Sequence, residues 1–510
     1  MNSKQVSYPQ ADRYSYLWLL IGIVLSALSF TAYGKWVIPL AAWFANIFIL
    51  RFMRSQRRIW LAYLILVVAN ALYMWFVLPS FLAPLRPSIV IGSALAGSLI
   101  PVVDRLLVAR LRGFTATLVF PLVATTFEFA LATMNPLGSA GMTAYSQYDN
   151  LPLLQLVSVT GMLGITFLIA WFASVVNWAW EQDWEWRTIR RGAAIYAGLL
   201  LLVLAYGEAR LWLAPTAANT VRVAGVIPVD FRAKQAEMMP ATTQDWAAFR
   251  RMSQERFPLY FDATIREARA GAKLVLWPEF AAPVAKEDEA ALIARGKEVA
   301  QQEGIYLGMS MGTLYQDPQT PYEQKILIID PAGDVVLEHF KYGGVGFEGN
   351  RVNGDGILRT AQTPFGVISA VICWDTDFPR TVSQAGRNGT DILLSPSLGE
   401  RGISPLHSTM AILRAIENGV SLVRVGDNEL SVITDPYGRV LASLDYFTAG
   451  ERVIVAQVPT QHVFTIYSVI GDLIGWLAVV GLIGLIGLAF WRGRKMTPLS
   501  LPAAERPLPV

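Results

Sequence analysis

A single cysteine in 510 residues leaves nothing for an internal disulfide to join. Three histidines and that one cysteine show no zinc-ligand spacing, so a zinc site has too few residues to build on. No P-loop is present and no Gly-x-Gly-x-x-Gly follows a strand-like run, so no metal or nucleotide cofactor is implied. A net charge of +3 is too small to argue for nucleic acid. Charge of either sign is scarce at 16% of residues, where soluble domains average about a quarter. The shortage is uneven. It lies before about Leu213 and after about Val463, with ordinary charge between. The expected division is a membrane part over 1–213, a globular part over 214–462, and a last span with its tail over 463–510.

What the chain has instead is long apolar runs; 54% of it is hydrophobic. A membrane span needs about 20 mostly apolar residues. Candidate spans cover 16–31, 36–50, 60–79, 88–103, 114–134, 151–178, 193–212 and 463–490. Lys and Arg gather in alternate loops: Arg51, Arg54, Arg57 and Arg58; Arg105, Arg110 and Arg112; Arg187, Arg190 and Arg191; then Arg492, Arg494 and Lys495 in the tail. The opposite loops hold little beyond Lys35 and Arg86. Positive loops stay in the cytoplasm. This bias predicts a multi-pass protein of the cell (inner) membrane with 214–462 outside the cytoplasm. The Pro-rich tail after Met496 is expected to be disordered.

Between these runs the texture is α/β. β-branched strand candidates lie at 221–229, 274–277, 305–309, 324–329, 367–373, 392–395, 422–425, 430–434 and 452–459. Amphipathic stretches at 246–270, 287–303 and 406–418 alternate with several of them. Asp330-Pro331-Ala332-Gly333 and Asp435-Pro436-Tyr437-Gly438 are turns. The pattern predicts a mixed sheet covered by helices.

The sole cysteine, Cys373, ends the apolar run Val367-Ile368-Ser369-Ala370-Val371-Ile372. A strand end that opens into a turn holds a nucleophile rigidly and exposes it. On this segment alone a nucleophile and a buried structural cysteine are equally good readings. Trp277-Pro278-Glu279 puts a carboxylate at another strand end, and Phe340-Lys341 an amine at a third. His407 opens a late helix, where a structural role is expected. Trp246, Phe249, Phe257, Tyr260, Phe261 and Phe447 are either core or the lining of an apolar groove.

Glu279, Lys341 and Cys373, in that order and each at a strand end, resemble the catalytic set of the nitrilase (carbon–nitrogen hydrolase) superfamily. The resemblance runs from about Val221 to Thr460 and includes Arg414-Ala415-Ile416-Glu417-Asn418. With membrane spans on both sides, the chain is similar to the membrane branch of that superfamily, the apolipoprotein N-acyltransferases. The resemblance implies a polytopic α-helical membrane domain plus an α/β nitrilase-like αββα sandwich. It implies acyl transfer from a phospholipid donor, through a thioester on Cys373, to the N-terminal amine of a lipoprotein acceptor. Glu279 would be the general base. Lys341 and the Trp374 backbone N–H would hold the oxyanion, and Glu348 would be a second glutamate. Three stretches depart from the family's pattern: glycine-rich 342–348, polar Arg351-Val352-Asn353-Gly354-Asp355-Gly356, and Trp374-Asp375 where Tyr-Glu is common. They keep open a membrane-anchored amidase acting on a small extracytoplasmic amide, or a scaffold without activity.

Overall fold

The computed structural model describes residues 13–29, 37–78, 85–111, 113–228, 238–239, 241–344, 349–448 and 452–495. Among them six helices are long and apolar enough to cross a membrane: Ile59–Val77, Arg86–Val108, Phe114–Met134, Met162–Glu181, Trp186–Trp212 and Leu473–Arg492. The expected spans 16–31 and 36–50 fall on the shorter helices Ser15–Ser29 and Pro39–Ser55. Residues 30–36 lie outside the described residues, as do Glu348 and the tail after Lys495. Met162–Glu181 is the centre of the bundle: 83% of its apolar window is buried, against 11% for Ile59–Val77. Arg54 bonds Asp104 at 2.9 Å and Glu181 at 3.1 Å, joining three helices by a buried ion cluster. Charges at such positions persist only when paired.

Two expected spans are interrupted. The run 151–178 is not one helix but two single turns, Leu151–Leu154 and Val157–Thr160, followed by Met162–Glu181. Gly161 stands at the break with φ +64°, and a Cβ there would come within 2.6 Å of the Tyr467 ring. Only glycine meets both demands without strain. The run 463–490 is likewise split into Ile466–Ile470 and Leu473–Lys495. Hydropathy reads through such breaks because glycine carries no charge to mark them.

The polar region forms two sheets. The first contains β1 (Thr220–Val226), β2 (Leu274–Leu276), β3 (Ala282–Ala285), β4 (Tyr306–Leu314), β5 (Glu323–Ile329) and β6 (Val335–Phe340). The second contains β7 (Thr360–Thr363), β8 (Gly366–Ala370), β9 (Ile392–Leu398), β10 (Ser421–Asp427), β11 (Leu430–Thr434) and β12 (Val440–Asp445). The last strand, β13 (Val453–Pro459), returns to the first sheet, giving the order β13-β1-β2-β4-β5-β6 with β3 also on β4. The second sheet runs β12-β11-β10-β9-β8-β7.

Strand alternation sends one set of side chains between the sheets. Val223, Leu276, Ile326 and Ile328 meet Ile368, Leu394, Val423 and Val425 in a shared core. Burying each such side chain stabilises by roughly 1.5–3 kcal/mol. The other set faces helices. Trp246–Arg269 and Lys286–Glu303 cover the first sheet, and Leu406–Asn418 covers the second. The result is the αββα sandwich expected from the sequence. Phe249 and Tyr260 are core, Phe261 is buried but lines an open cavity together with Phe257, and Trp246 and Phe447 pack at the core's margin.

The helix Leu406–Asn418 is buried on both sides. Met410, Leu413 and Ile416 pack with Trp43, Phe129 and Leu163 of the bundle. Ser139, in the loop between two membrane helices, donates from both its backbone N and its Oγ to the Asp377 carbonyl, each at 2.8 Å. The Met162 N–H donates to Glu417 Oε1 at 2.9 Å. The sandwich is therefore seated on the bundle through the segment that follows Cys373.

Candidate active site

Parallel pairing of β8 with β9 carries the chain past Ala370 to Ile372, and the strand then breaks into the 3-10 turn Cys373–Asp377. Cys373 is the first residue of that turn and has φ +50°. Phe280, directly after Glu279, has φ +57°. Left-handed backbone at a non-glycine residue costs on the order of 1–3 kcal/mol and is concentrated at functional sites.

Pro278 ends β2 and turns Glu279 inward, where it is 2% exposed. Its Oε1 accepts from Lys341 Nζ and from Gln324 Nε2, each at 2.5 Å. Its Oε2 accepts from the Leu398 backbone N–H at 2.6 Å. Lys341, just past β6, is fully buried, and its Nζ lies 5.9 Å from the centre of the Trp374 ring. Cys373 Sγ lies 3.9 Å from the Leu398 carbonyl oxygen. Leu398 at the end of β9 thus touches both the carboxylate and the thiol. The structure brings Glu279, Lys341 and Cys373 together from three separate strand ends. Trp374 stands beside them, and Glu348 lies outside the described residues.

Several groups that hold this cluster were not legible beforehand. Asp375 is fully buried and accepts from the backbone N–H groups of Ile372 at 2.8 Å, Tyr342 at 2.9 Å and Gly343 at 2.6 Å. His339 Nε2 completes its shell at 2.8 Å. Burial opposes the charge on Asp375, but the His339 contact and these N–H groups outweigh it and hold its pKa below the ordinary value. Asp375 so ties the lysine segment to the cysteine turn. The approach is close: a Cβ on Gly343 would meet the Trp374 backbone carbon at 2.7 Å. Arg351, read from sequence as part of a polar surface, points inward and donates to the carbonyls of Lys341 and Gly343. Tyr342, Val352 and Ile357 are exposed, and within 351–356 only Val352 is a large apolar side chain.

Burial pushes the Cys373 thiol well above its ordinary value, and the Glu279 carboxylate adds to this against the opposing charges of Lys341 and Arg424. Burial thus favours the protonated thiol over the thiolate, with the Glu279 carboxylate close by. Alkylation by iodoacetamide, followed by intact mass, is expected to be slow at neutral pH and still rising past pH 9, the ordinary thiol value. A rate already level near neutrality would contradict this.

Comparison with known proteins gives two adjacent family matches. Residues 22–175 match the apolipoprotein N-acyltransferase N-terminal domain, and residues 235–465 match the carbon–nitrogen hydrolase family. The apolipoprotein N-acyltransferase of Geobacter metallireducens is 26% identical over 412 residues, covering 75% of each chain. That of Bradyrhizobium diazoefficiens is 30% identical over 364 residues, 64% of this chain and 65% of its own length. Among solved structures, an amidase from Nesterenkonia sp. aligns over 49% of this chain and 94% of its own, at 21% identity and a TM-score of 0.38. The chain is a multi-pass membrane enzyme of the carbon–nitrogen hydrolase superfamily, and it belongs to the apolipoprotein N-acyltransferase family.

Proposed function

We propose that this chain transfers a fatty acyl group from a phospholipid to the N-terminal amine of a lipoprotein, through a thioester on Cys373, on the extracytoplasmic side of the inner membrane. The observation that carries this reading is the buried Glu279–Lys341 pair, 2.5 Å apart, meeting Cys373 around Leu398 in a turn seated on the membrane bundle. A seat on the membrane helices suits a lipid donor. The curated relatives named above carry the same activity in their names.

The chemistry follows from the geometry. Glu279 takes the Sγ proton as sulfur attacks the ester carbonyl of the phospholipid. Lys341 and the Trp374 N–H stabilise the tetrahedral oxyanion. The lysophospholipid alkoxide leaves with the proton held by Glu279, and Cys373 keeps the acyl chain as a thioester. In the second half the acceptor amine attacks the thioester, Glu279 takes a proton from nitrogen, and the Cys373 thiol leaves reprotonated. An amide donor that loses its amine on forming the thioester, with water as the second nucleophile, would make the enzyme an amidase-like hydrolase.

The test is the intact mass of detergent-purified protein incubated with phospholipid and no acceptor. An added acyl mass, removed by neutral hydroxylamine and absent from Cys373→Ala, is expected. Protein that gains no mass from phospholipid, but does from a small amide, would replace the proposal with the amidase reading.

A further inference from the structure

Below the cysteine turn lies a second buried polar cluster that the mechanism does not use. Arg424 sits mid-way along β10 between Val423 and Val425 and is fully buried. Val423 and Val425 face the core between the sheets, so Arg424 faces the helix Leu406–Asn418. Its Nε donates to Glu429 Oε1 at 3.0 Å. Nη1 donates to Ser395 Oγ at 3.0 Å, and Nη2 to Ser397 Oγ at 2.8 Å and towards His407 Nδ1 at 2.9 Å. His407 Nε2 lies 3.4 Å from Asp377 Oδ1. Both Glu429 and His407 are buried.

The ends of this cluster matter. Ser395 and Ser397 are on β9, in parallel register with Arg424 and Gly426 of β10. The residue after Ser397 is Leu398, whose N–H holds Glu279 Oε2 and whose carbonyl faces Cys373 Sγ. Asp377 closes the turn that Cys373 opens. One guanidinium therefore grips the strand end that sets the base and, through His407, reaches the turn that sets the nucleophile. A planar fork with donors in fixed directions can hold two hydroxyls, a ring nitrogen and a carboxylate at once; a lysine ammonium cannot. The Glu429 carboxylate opposes the guanidinium's charge at sulfur, and the fixed directions of the donors set position.

We propose that Arg424 is a positioning residue for acyl transfer, acting through Ser397 and Leu398 to aim Glu279 and Cys373 at one another. The inference rests on the reading of those two residues as base and nucleophile. Misplacement of reacting groups by about 1 Å costs on the order of 10²-fold.

Arg424→Lys and Ser397→Ala are the variants to make. Ser397→Ala removes the Ser397 hydroxyl's bonds to Arg424 and Glu429 and leaves the Arg424–Glu429 pair itself in place, so it is the milder variant for the fold. The rate of acyl-enzyme formation is read by intact mass at saturating phospholipid, with KM read separately. Both folded variants are expected to acylate about 10–100-fold more slowly with KM within twofold of wild type. Combined with Glu279→Gln, Ser397→Ala should add much less than it costs alone, because it acts through the group already removed. Wild-type acylation in both variants, or full additivity with Glu279→Gln, overturns the role of Arg424 while Cys373→Ala stays inactive. An adduct on Cys373→Ala would instead overturn the assignment of the nucleophile, and this proposal with it.

Discussion

Cys373→Ala is expected to eliminate acyl transfer while leaving the fold intact. Removing a covalent nucleophile costs up to about 10⁶-fold, because base and oxyanion donors no longer have an intermediate to serve. The folding effect should be small. Alanine keeps the Cβ, so the strain at φ +50° is the same, and among the described residues the thiol's polar contact is a long one, to the Leu398 carbonyl at 3.9 Å. Cys373→Ser is a stricter control. Its hydroxyl is a far weaker acid than a thiol, so the same base at the same distance should yield only slow acylation. Any adduct that forms would be an oxyester resistant to neutral hydroxylamine. Product formation by Cys373→Ala at more than about one per cent of the wild-type rate would remove the covalent route from consideration.

The second large effect concerns the Glu279–Lys341 pair. Its partners are 2% and 0% exposed and 2.5 Å apart. Removing one member of a buried ion pair costs about 3–5 kcal/mol, whereas replacing both with neutral groups of similar volume is close to neutral. Glu279→Gln and Lys341→Met should therefore each lower thermal stability markedly. The double variant should recover most of that loss. Activity should behave differently. Each single change is expected to cost at least about 10²–10³-fold, by loss of the base or of an oxyanion donor, and the double variant should stay as inactive as the worse single one. Stability recovered without activity would separate what the pair does for folding from what it does for chemistry. Activity returning together with stability would mean the pair is a structural clamp only.

Much of this site could be read from the chain because its three principal residues end strands, and strand ends have local signals. Pro278 closes β2 before Glu279, an apolar run stops at Cys373, and a Pro-Gly turn precedes the strand to Lys341. The helix Leu406–Asn418 was legible to its last residue, since an amphipathic run ends on Gly419, which takes φ +64°. Other parts lacked such signals. β3 carries Pro283, which masks it as a strand in sequence and is tolerated because β3 pairs with β4 alone. Short β7 (Thr-Ala-Gln-Thr) and half-exposed β12 offer little apolar alternation. The groups that steady the cluster come from distant segments with no common spacing: His339 with Asp375, Arg351 with the Lys341 carbonyl, Arg424 with Ser397. One signal did exist. An arginine set among Leu422, Val423 and Val425 is a charge inside an apolar strand, and such a charge is buried only with partners. His407 was expected to be structural; it is fully enclosed and belongs to that same polar cluster.

The grip of Ser139 on the Asp377 carbonyl makes the sandwich a dependent module rather than a portable one. An excised fragment covering 214–462 would leave the far side of Leu406–Asn418 bare, with Met410, Leu413 and Ile416 facing water. It would also release the turn beginning at Cys373 from its hydrogen bonds to Ser139 of the 135–148 loop. Such a fragment should be sticky and catalytically slack even where its sheets fold. In this chain the membrane helices support the turn that begins at Cys373, and swapping one half alone with that of a relative is expected to loosen that support.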